Sequence, residues 1–417
     1  TQYFKKRLDY IDVKGMLSSL HGSAGAITAL QNSVAHYYQR ASSADYLGVD
    51  PTRRSLTGTG GYVKVGRKGN AKWNFSETFT WSSPGFDLND MGYMKETDYL
   101  MNETEIMYRQ TDIWKIFRYN AFTLSQKNMW NYGGTPFSNN ASLRWQSMTM
   151  NRYEWDVKET FAWNWLDSRL LRGGPDVRFG SYFLTSAKFN TDKAKRMMFM
   201  LKYEGDHNFE GNRFNTISPS LTFRLGNHVY LSGQLDYAWN TDEMQYVATT
   251  SPLSSSSLAP YYYVMGHMDQ KTYGLTLKLQ VNVTPDISIQ FYGAPFTSIA
   301  KYDDFKLAAD TKSHTFENRF QRIDPDQLTY ADGVYTIGEG AGQMPFRNPD
   351  FRFNEFRSNL VARWEYLPGS TLYFVWEHRM SNRDNWYSSG WGSNLDRMWG
   401  LPATNTFMIK MNYWFNL

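Results

Sequence analysis

His378 and Ser381 stand three residues apart, and a histidine near a serine is the smallest equipment for nucleophilic hydrolysis. The base must come within roughly 3 Å of the hydroxyl it deprotonates. In an extended strand, a separation of three sends the two side chains to opposite faces. The pair therefore fails as a dyad, and His378 reads as a residue of a strand's outer surface. His267 and Asp269 do share a face, and they read as a solvated pair at a strand's rim. Asp303, Asp304, Asp310, Asp324, Asp326, Asp332 and Glu339 supply hard oxygen ligands at a density that suits calcium. They follow neither an EF-hand spacing nor a nonapeptide repeat and read as a solvated acidic loop. No HExxH run offers a zinc site. Gly58, Gly60, Gly61 and Gly66 do not form a phosphate loop between strand and helix; they read as glycines that thin a wall. With no cysteine in 417 residues, disulfides, thiolate metal sites, a cysteine nucleophile and a lipidated cysteine are excluded. No catalytic residue, metal or cofactor is expected, and the chain does not read as an enzyme.

The elements that carry these residues are strands. Phe407, Ile409, Met411, Tyr413, Phe415 and Leu417 alternate with Met408, Lys410, Asn412, Trp414 and Asn416. Tyr273, Leu275, Leu277, Leu279, Val281 and Val283 interleave in the same way with Gly274, Thr276, Lys278, Gln280, Asn282 and Thr284. Strand side chains alternate faces, so one face suits hydrocarbon and the other water. About 16 such segments follow one another, with 14 to 18 as the range, from Tyr10–Ser19 to Thr404–Leu417. They include His228–Asn240, Lys271–Thr284, Ile287–Ala300 and Glu355–Leu367. Tight links at 67–69, 191–194, 226–227, 284–286 and 368–370 alternate with long loops near 20–56, 241–260, 301–354 and 381–403. Ala24–Val34 reads as a short helix or irregular segment inside the first loop, which is expected to be an ordinary external loop, with an inward fold that narrows the lumen as the alternative. Glu77 and Glu159 fall on the apolar parity, which predicts a bulge, a rim position or a shifted register there. No internal repeat of fixed period is apparent.

Composition agrees. Aromatics reach 17% of the chain while mean hydropathy is −0.58, the combination of interfacial girdles and a wet interior. No run approaches the roughly 18 apolar residues that a spanning helix needs. A net charge of +4 from 44 basic and 40 acidic residues is too balanced to indicate nucleic acid. Thr1 opens no charged and apolar leader, so a secretory signal is expected to have been removed or to lie outside this sequence.

On the water-facing parity lie Arg224, Asp236, Lys278, Arg357, Arg363, Glu365, Glu377, Arg379 and Lys410, the expected lining of a lumen. The last five residues of that list before Lys410 are expected to form one charged ladder. Trp386, Tyr387, Trp391 and Trp399 crowd one loop, and Tyr261, Tyr262 and Tyr263 form a second exposed cluster. Flat aromatic faces beside polar side chains can stack on sugars or on a protein partner.

Four stretches carry a family resemblance. FRFNEFRSNLVARWEYLPGSTLYFVWEHR (351–379), LLRGGP (170–175), HYYQRASSADYLGVDPTRRSLTGTGGYVKVG (36–66) and WNFSETFTWSSPGFDLNDMGY (73–93) resemble an uncharacterised outer-membrane family of Bacteroidota-type bacteria. In that family a periplasmic module similar to family-nine carbohydrate-binding domains precedes a large barrel. The resemblance implies a location and a saccharide association, but no catalytic residues. This sequence shows no such module, and the family's barrel is expected to carry further strands before the point matching Thr1. Leu417 stands where outer-membrane barrels often end in phenylalanine.

The reading is an all-β protein: one domain over 1–417, an antiparallel up-and-down transmembrane β-barrel in a bacterial outer membrane, its C-terminus periplasmic. A channel or uptake component is expected, with saccharide as cargo and outer-membrane lipid as its surroundings. An occluded structural or assembly subunit that docks other envelope proteins is the alternative. A hydrolase would need a catalytic pair on one face at the rim.

Overall fold

The computed structural model describes residues 2–3, 9–40, 46–69, 71–90, 92–163, 165–226, 228–253, 261–384 and 391–415. Strand accounts for 65% of the chain and helix for 6%, so the all-β expectation holds. One antiparallel sheet of 18 strands dominates, and two of its members, Gln2–Tyr3 and Phe320–Arg322, are short. The long ones are β1 (Asp9–His21), β2 (Ser55–Arg67), β3 (Trp73–Ser82), β4 (Tyr99–Gln110), β5 (Phe117–Trp130), β6 (Pro136–Thr149), β7 (Glu154–Trp163) and β8 (Tyr182–Asn190). The second half adds β9 (Met197–Asn208), β10 (Arg213–Leu225), β11 (Val229–Thr250), β12 (Tyr262–Asn282), β13 (Ile287–Ala308), β14 (Phe351–Leu367), β15 (Ser370–Asp384) and β16 (Thr404–Asn412). Each pairs with the next in sequence, a plain meander.

The pairing keeps all apolar parities on one side. Leu231 lies opposite Leu279, Leu279 opposite Phe291, Phe291 opposite Leu360, Leu360 opposite Trp376 and Trp376 opposite Phe407. Among the described residues, register shifts fall in the loop-end half of β11 and β12, between Asp242 and Gln245, Tyr246 and Ala248, and Met265 and His267, and at strand ends, as between Glu365 and Leu367. A slip of one residue anywhere else would turn a strand's apolar set to the wrong side.

Connections separate the two ends. At the turn end the links are 68–72, 111–116, 150–153, 191–196, 226–228, 283–286 and 368–369; the last is Pro368 followed by Gly369 at φ +77°, where a side chain would be strained. At the loop end, 22–54, 83–98, 164–181, 251–261, 309–350 and 385–403 alternate with two short links, 131–135 and 209–212. The buried cores gather at this loop end. One joins Leu171, Val177, Met244, Met265 and Phe320, a second joins Val264, Phe305, Leu307, Ile337 and Phe346, and a third joins Ile27, Tyr38 and Leu56.

Several expectations are corrected. The sheet is not closed into a barrel: among the described residues β16 pairs with β15 alone, while the outer edge of β1 pairs at Tyr10 and Ile11 with Gln2–Tyr3. The edge that closure would use is partly taken, and β16 is exposed along its whole length. Strands β11, β12 and β13 run well past the expected His228–Asn240, Lys271–Thr284 and Ile287–Ala300, because bulges at Asp242, Tyr246 and Met265 break the alternation that marks a strand. The last strand stops at Asn412, and residues 416–417 lie outside the described part. Glu77 and Glu159 sit mid-strand in unbroken register, neither bulged nor at a rim. The expected segment at 24–34 is a helix, α1 (Ala24–Gln31), whose N-cap Ser23 Oγ accepts from the Ala26 N–H at 3.2 Å.

The two-sided sheet makes a direct prediction for folding into lipid vesicles. Leu277 lies in the apolar face between Gly233 and Gly293, and Leu277→Arg should cost roughly 2–4 kcal/mol. Lys278→Leu, one residue on, should cost far less; the reverse order would mean that the sheet presents its other face to hydrocarbon.

Candidate functional site

The polar face is the candidate site, and strand pleating places its residues. Arg357 and Arg379 are direct cross-strand partners on β14 and β15. Two cations at that spacing repel unless an anion joins them, and Glu355 does so: its Oε1 accepts from Arg357 Nη2 at 2.8 Å and from Arg379 at 3.0 and 3.1 Å. Sequence reasoning omitted Glu355 from the lining, although its i, i+2 relation to Arg357 on one strand face was the signal. Arg363 pairs with Glu365 at 2.5 Å, and Glu365 also accepts from the Gly369 N–H at 3.1 Å in the turn. The expected single ladder is thus two clusters, one towards the loop end and one at the turn end, because Arg357 and Arg363 each find a carboxylate two residues away on β14 and Arg379 reaches Glu355 across from β15. Glu377 faces Asn359 and Thr406, and Lys410 faces Tyr373.

Asp236 accepts from Ser218 Oγ at 2.6 Å and from Gln234 Nε2 at 2.9 Å. Lys278 stands between Ser232 and Tyr292 on the same face. Arg224 lies at the turn end, where its guanidinium donates to the Lys193 carbonyl at 3.1 Å. The expected lining residues therefore share one wall.

Beyond the Trp239 ring, β9 to β11 and the 164–181 loop enclose about 230 Å³ lined by Asp206, Asp242, Asn208, Asn240, Trp165 and Tyr182, among others. Trp165 and Tyr182 meet edge to face at 5.6 Å. Acids, amides and rings in one concave space match neutral polyols, which need both hydrogen-bond partners and a flat apolar surface.

The loop end is an ordered cap. Asp98, fully buried, accepts from Arg40 at 2.6 Å, Tyr46 Oη at 2.5 Å and the Tyr132 N–H at 3.1 Å, so three connections are tied to one carboxylate. Arg319 makes a two-pronged contact with Glu210 at 2.7 and 2.9 Å and donates to the carbonyls of Arg178 and Ser313. Phe86 folds against the polar face of β2: a side chain at Gly58 would meet its backbone nitrogen at 2.1 Å, and one at Gly60 would meet its ring at 2.5 Å. The 83–87 segment, which belongs to the connection after β3 and not to the first loop, thus lies on the polar face. Of the four glycines singled out in β2, Gly58 and Gly60 make room for Phe86, while Gly61 faces the Lys14 carbonyl and the Trp81 ring and Gly66 faces the Phe75 carbonyl.

Other expected residues are scattered. Tyr262 begins β12 rather than sitting in a loop; it packs with Val264 while Tyr263 turns to the Leu171 core, and only Tyr261 is widely exposed. The expected cluster divides because adjacent strand residues point apart. Trp386 and Tyr387 lie outside the described residues, Trp391 opens helix α2 (Trp391–Trp399), and Trp399 meets the Phe356 ring edge to face at 4.8 Å. His378 and Ser381 do have opposite parity; Ser358 stands across from His378 on the same face, but His378 Nδ1 bonds Asn405 Oδ1 at 2.9 Å and no bond joins it to Ser358. His267 shares its rim with Glu243 at 3.1 Å as well as Asp269 at 3.6 Å. Burial lowers this imidazole, but Glu243, Asp269 and Asp303 outweigh it and the net shift is upward. Among the described residues no three histidine or acidic side chains converge on a metal position, and Asp324 instead caps a short helical turn through the Asp326 N–H. Among the described residues no helix is long and apolar enough to cross a membrane, which says nothing of strands.

Residues 22–417 match a protein family described as "Domain of unknown function (DUF5916)", and the chain belongs to that family. Comparison with curated proteins and with solved structures gave no match.

His36 allows the cap to be tested by pH. Its Nε2 lies 3.3 Å from the Phe86 carbonyl and its Nδ1 3.1 Å from Ser33 Oγ. Burial holds its pKa below 6.5 despite Asp87 nearby. The folded state therefore binds this proton less readily than the unfolded one, so stability is complete above pH 6.5 and is lost as pH falls through the lowered value. Amide exchange at 33–40 and 83–87, corrected for intrinsic rates, should quicken between pH 7.5 and 5.5. Equal protection at both would remove His36 as a determinant of cap stability.

Proposed function

We propose that this DUF5916 member forms the wall of a bacterial outer-membrane β-barrel that passes small polar solutes, with the loop end outside and the turn end and C-terminus periplasmic. The observation that carries this reading is the uninterrupted pair of faces from β8 to β16: hydrocarbon-compatible on one side, hydrogen-bonded and charged on the other. A sheet of this length with one apolar side must either close or be covered. In this reading β1 and β16 close it, directly or through further strands continuing from Gln2–Tyr3. The alternation of short and long connections supports the orientation, since outer-membrane barrels keep short turns in the periplasm. The resemblance to a Bacteroidota outer-membrane family with a carbohydrate-binding module, and the acid, amide and ring lining near Asp206, support saccharide as cargo.

A second reading has its own observation. Phe86 packs on the polar face of β2 and Ile27 and Tyr38 pack on Leu56 at its loop end, with Asp98 and His36 holding the segments around them, so the same barrel with its lumen occluded would serve as a structural or docking subunit of the envelope. Planar-bilayer recordings separate the two. Conductance by the intact wild type supports the channel. Conductance that appears only in Phe86→Ala supports the occluded subunit.

For a conducting lumen, neutralising Arg357, Arg363 and Arg379 together should leave Glu355 and Glu365 uncompensated. The reversal potential across a salt gradient should then move towards cation preference. An unchanged reversal potential in a conducting triple variant would take these clusters off the permeation route.

A further inference from the structure

Residues 73–81 read WNFSETFTW and residues 155–163 read WDVKETFAW, one pattern of Trp, Glu-Thr-Phe and Trp written twice. The first copy lies in β3 and the second in β7, and both strands run from the turn end to the loop end. In each copy the two tryptophans, the glutamate and the phenylalanine share the apolar parity. Phe79 stacks on Trp81 at 6.5 Å and Phe161 on Trp163 at 5.7 Å. Each glutamate faces a threonine of the next strand in the sheet: Glu77 lies opposite Thr104, and Glu159 lies opposite Thr185, whose Oγ1 donates to it at 2.7 Å. At about 3.3 Å per residue, each carboxylate stands about 13 Å from both of its flanking tryptophans. It occupies the middle of the band that those rings delimit.

The strands between continue the polarity. Gln126 on β5 follows Thr104, and a neighbouring row runs through Asn102, Asn128 and Asn139 on β4, β5 and β6. On β10 to β13 the same side of the sheet carries Leu221, Leu235, Leu277 and Phe291. The side chains of Glu77, Asn102, Gln126, Asn128 and Asn139 form no hydrogen bond to another described residue. Polar groups turned to hydrocarbon without partners are unfavourable, and the chain itself supplies none here.

We propose that the β3 to β7 face is where two copies of this chain associate in the membrane. The inference rests on the bilayer reading above. A second copy is the occupant because a two-fold interface requires a patch that complements itself. The repeated motifs flank β5 at equal remove, with β4 on one side and β6 on the other. A two-fold axis along the bilayer normal at β5 sets β3 of one copy against β7 of its partner. It also sets Gln126 and Asn128 near their own counterparts and Asn102 towards the partner's Asn139. Amides donate and accept equally, so these contacts are self-satisfying, and the Trp73, Trp81, Trp155 and Trp163 rings frame them.

The test uses the intact protein in detergent and in liposomes. Sedimentation should give a dimer. Gln126→Cys should form a disulfide-linked dimer on mild oxidation, while Leu277→Cys should not; the chain has no native cysteine to compete. Gln126→Leu with Asn128→Leu should raise the dimer dissociation constant at least tenfold, and folding should not suffer because leucine suits the lipid face. A monomeric wild type whose Gln126→Cys variant links no better than Leu277→Cys overturns the inference. So does linkage through Gln126→Cys to a different membrane protein only. Quenching by brominated lipid of a fluorescent reporter at Leu277→Cys decides the bilayer reading separately. A quenched reporter on a monomeric chain overturns the dimer alone, and an unquenched one overturns both.

Discussion

A pleated strand turns its side chain to the other face at every residue, so a wall with one apolar side exists only if every ladder is locked in the correct register. Much of this molecule can be understood as what that constraint demands. The turn-end links are short, which leaves little slack for a slip. The bulges of β11 and β12 lie in their loop-end halves, beyond the stretch where the alternation separates the two faces. Charged residues obey the same rule: Glu355, Arg357, Arg363 and Glu365 share a parity on β14, so they neutralise one another along the strand without crossing the sheet.

The loop end follows different physics. There the chain builds small conventional cores and buries ions, and each buried ion is held by several groups at once. Asp98 gathers a guanidinium, a phenol and a backbone amide, and Arg319 donates to Glu210 and to three carbonyls. Removing one partner from such a set strands a charge in low dielectric, which makes the cap rigid by mutual dependence. An open pore would need this cap to leave a path past Phe86; an occluded subunit would use it as it stands.

Most of the sheet was legible in the sequence because a period of two is a local signal. The alternation in Leu275 to Val281 or Phe407 to Met411 needs no tertiary knowledge, and all sixteen long strands announce themselves in this way. The extensions of β11, β12 and β13 were not legible, since a bulge inserts one residue and erases the period. Closure was not legible either, because it depends on two edges that are remote in sequence. The lining residues could be assigned to a face but not to partners: Glu355 joins Arg357 and Arg379 through side-chain reach, which parity does not encode. Glu77 and Glu159 looked like errors in the pattern, and they became informative only when the ladders were found unbroken around them.

The central claim is that the two faces of this sheet meet two different solvents. Spin labels placed one at a time from 357 to 364 on β14, in the intact protein reconstituted in liposomes, test it most directly. Collision with oxygen, which concentrates in lipid, should peak at 358, 360, 362 and 364. Collision with a water-soluble nickel reagent should peak at 357, 359, 361 and 363. Two profiles of period two in opposite phase are the predicted result; profiles in phase, or nickel access equal on both faces, would contradict it.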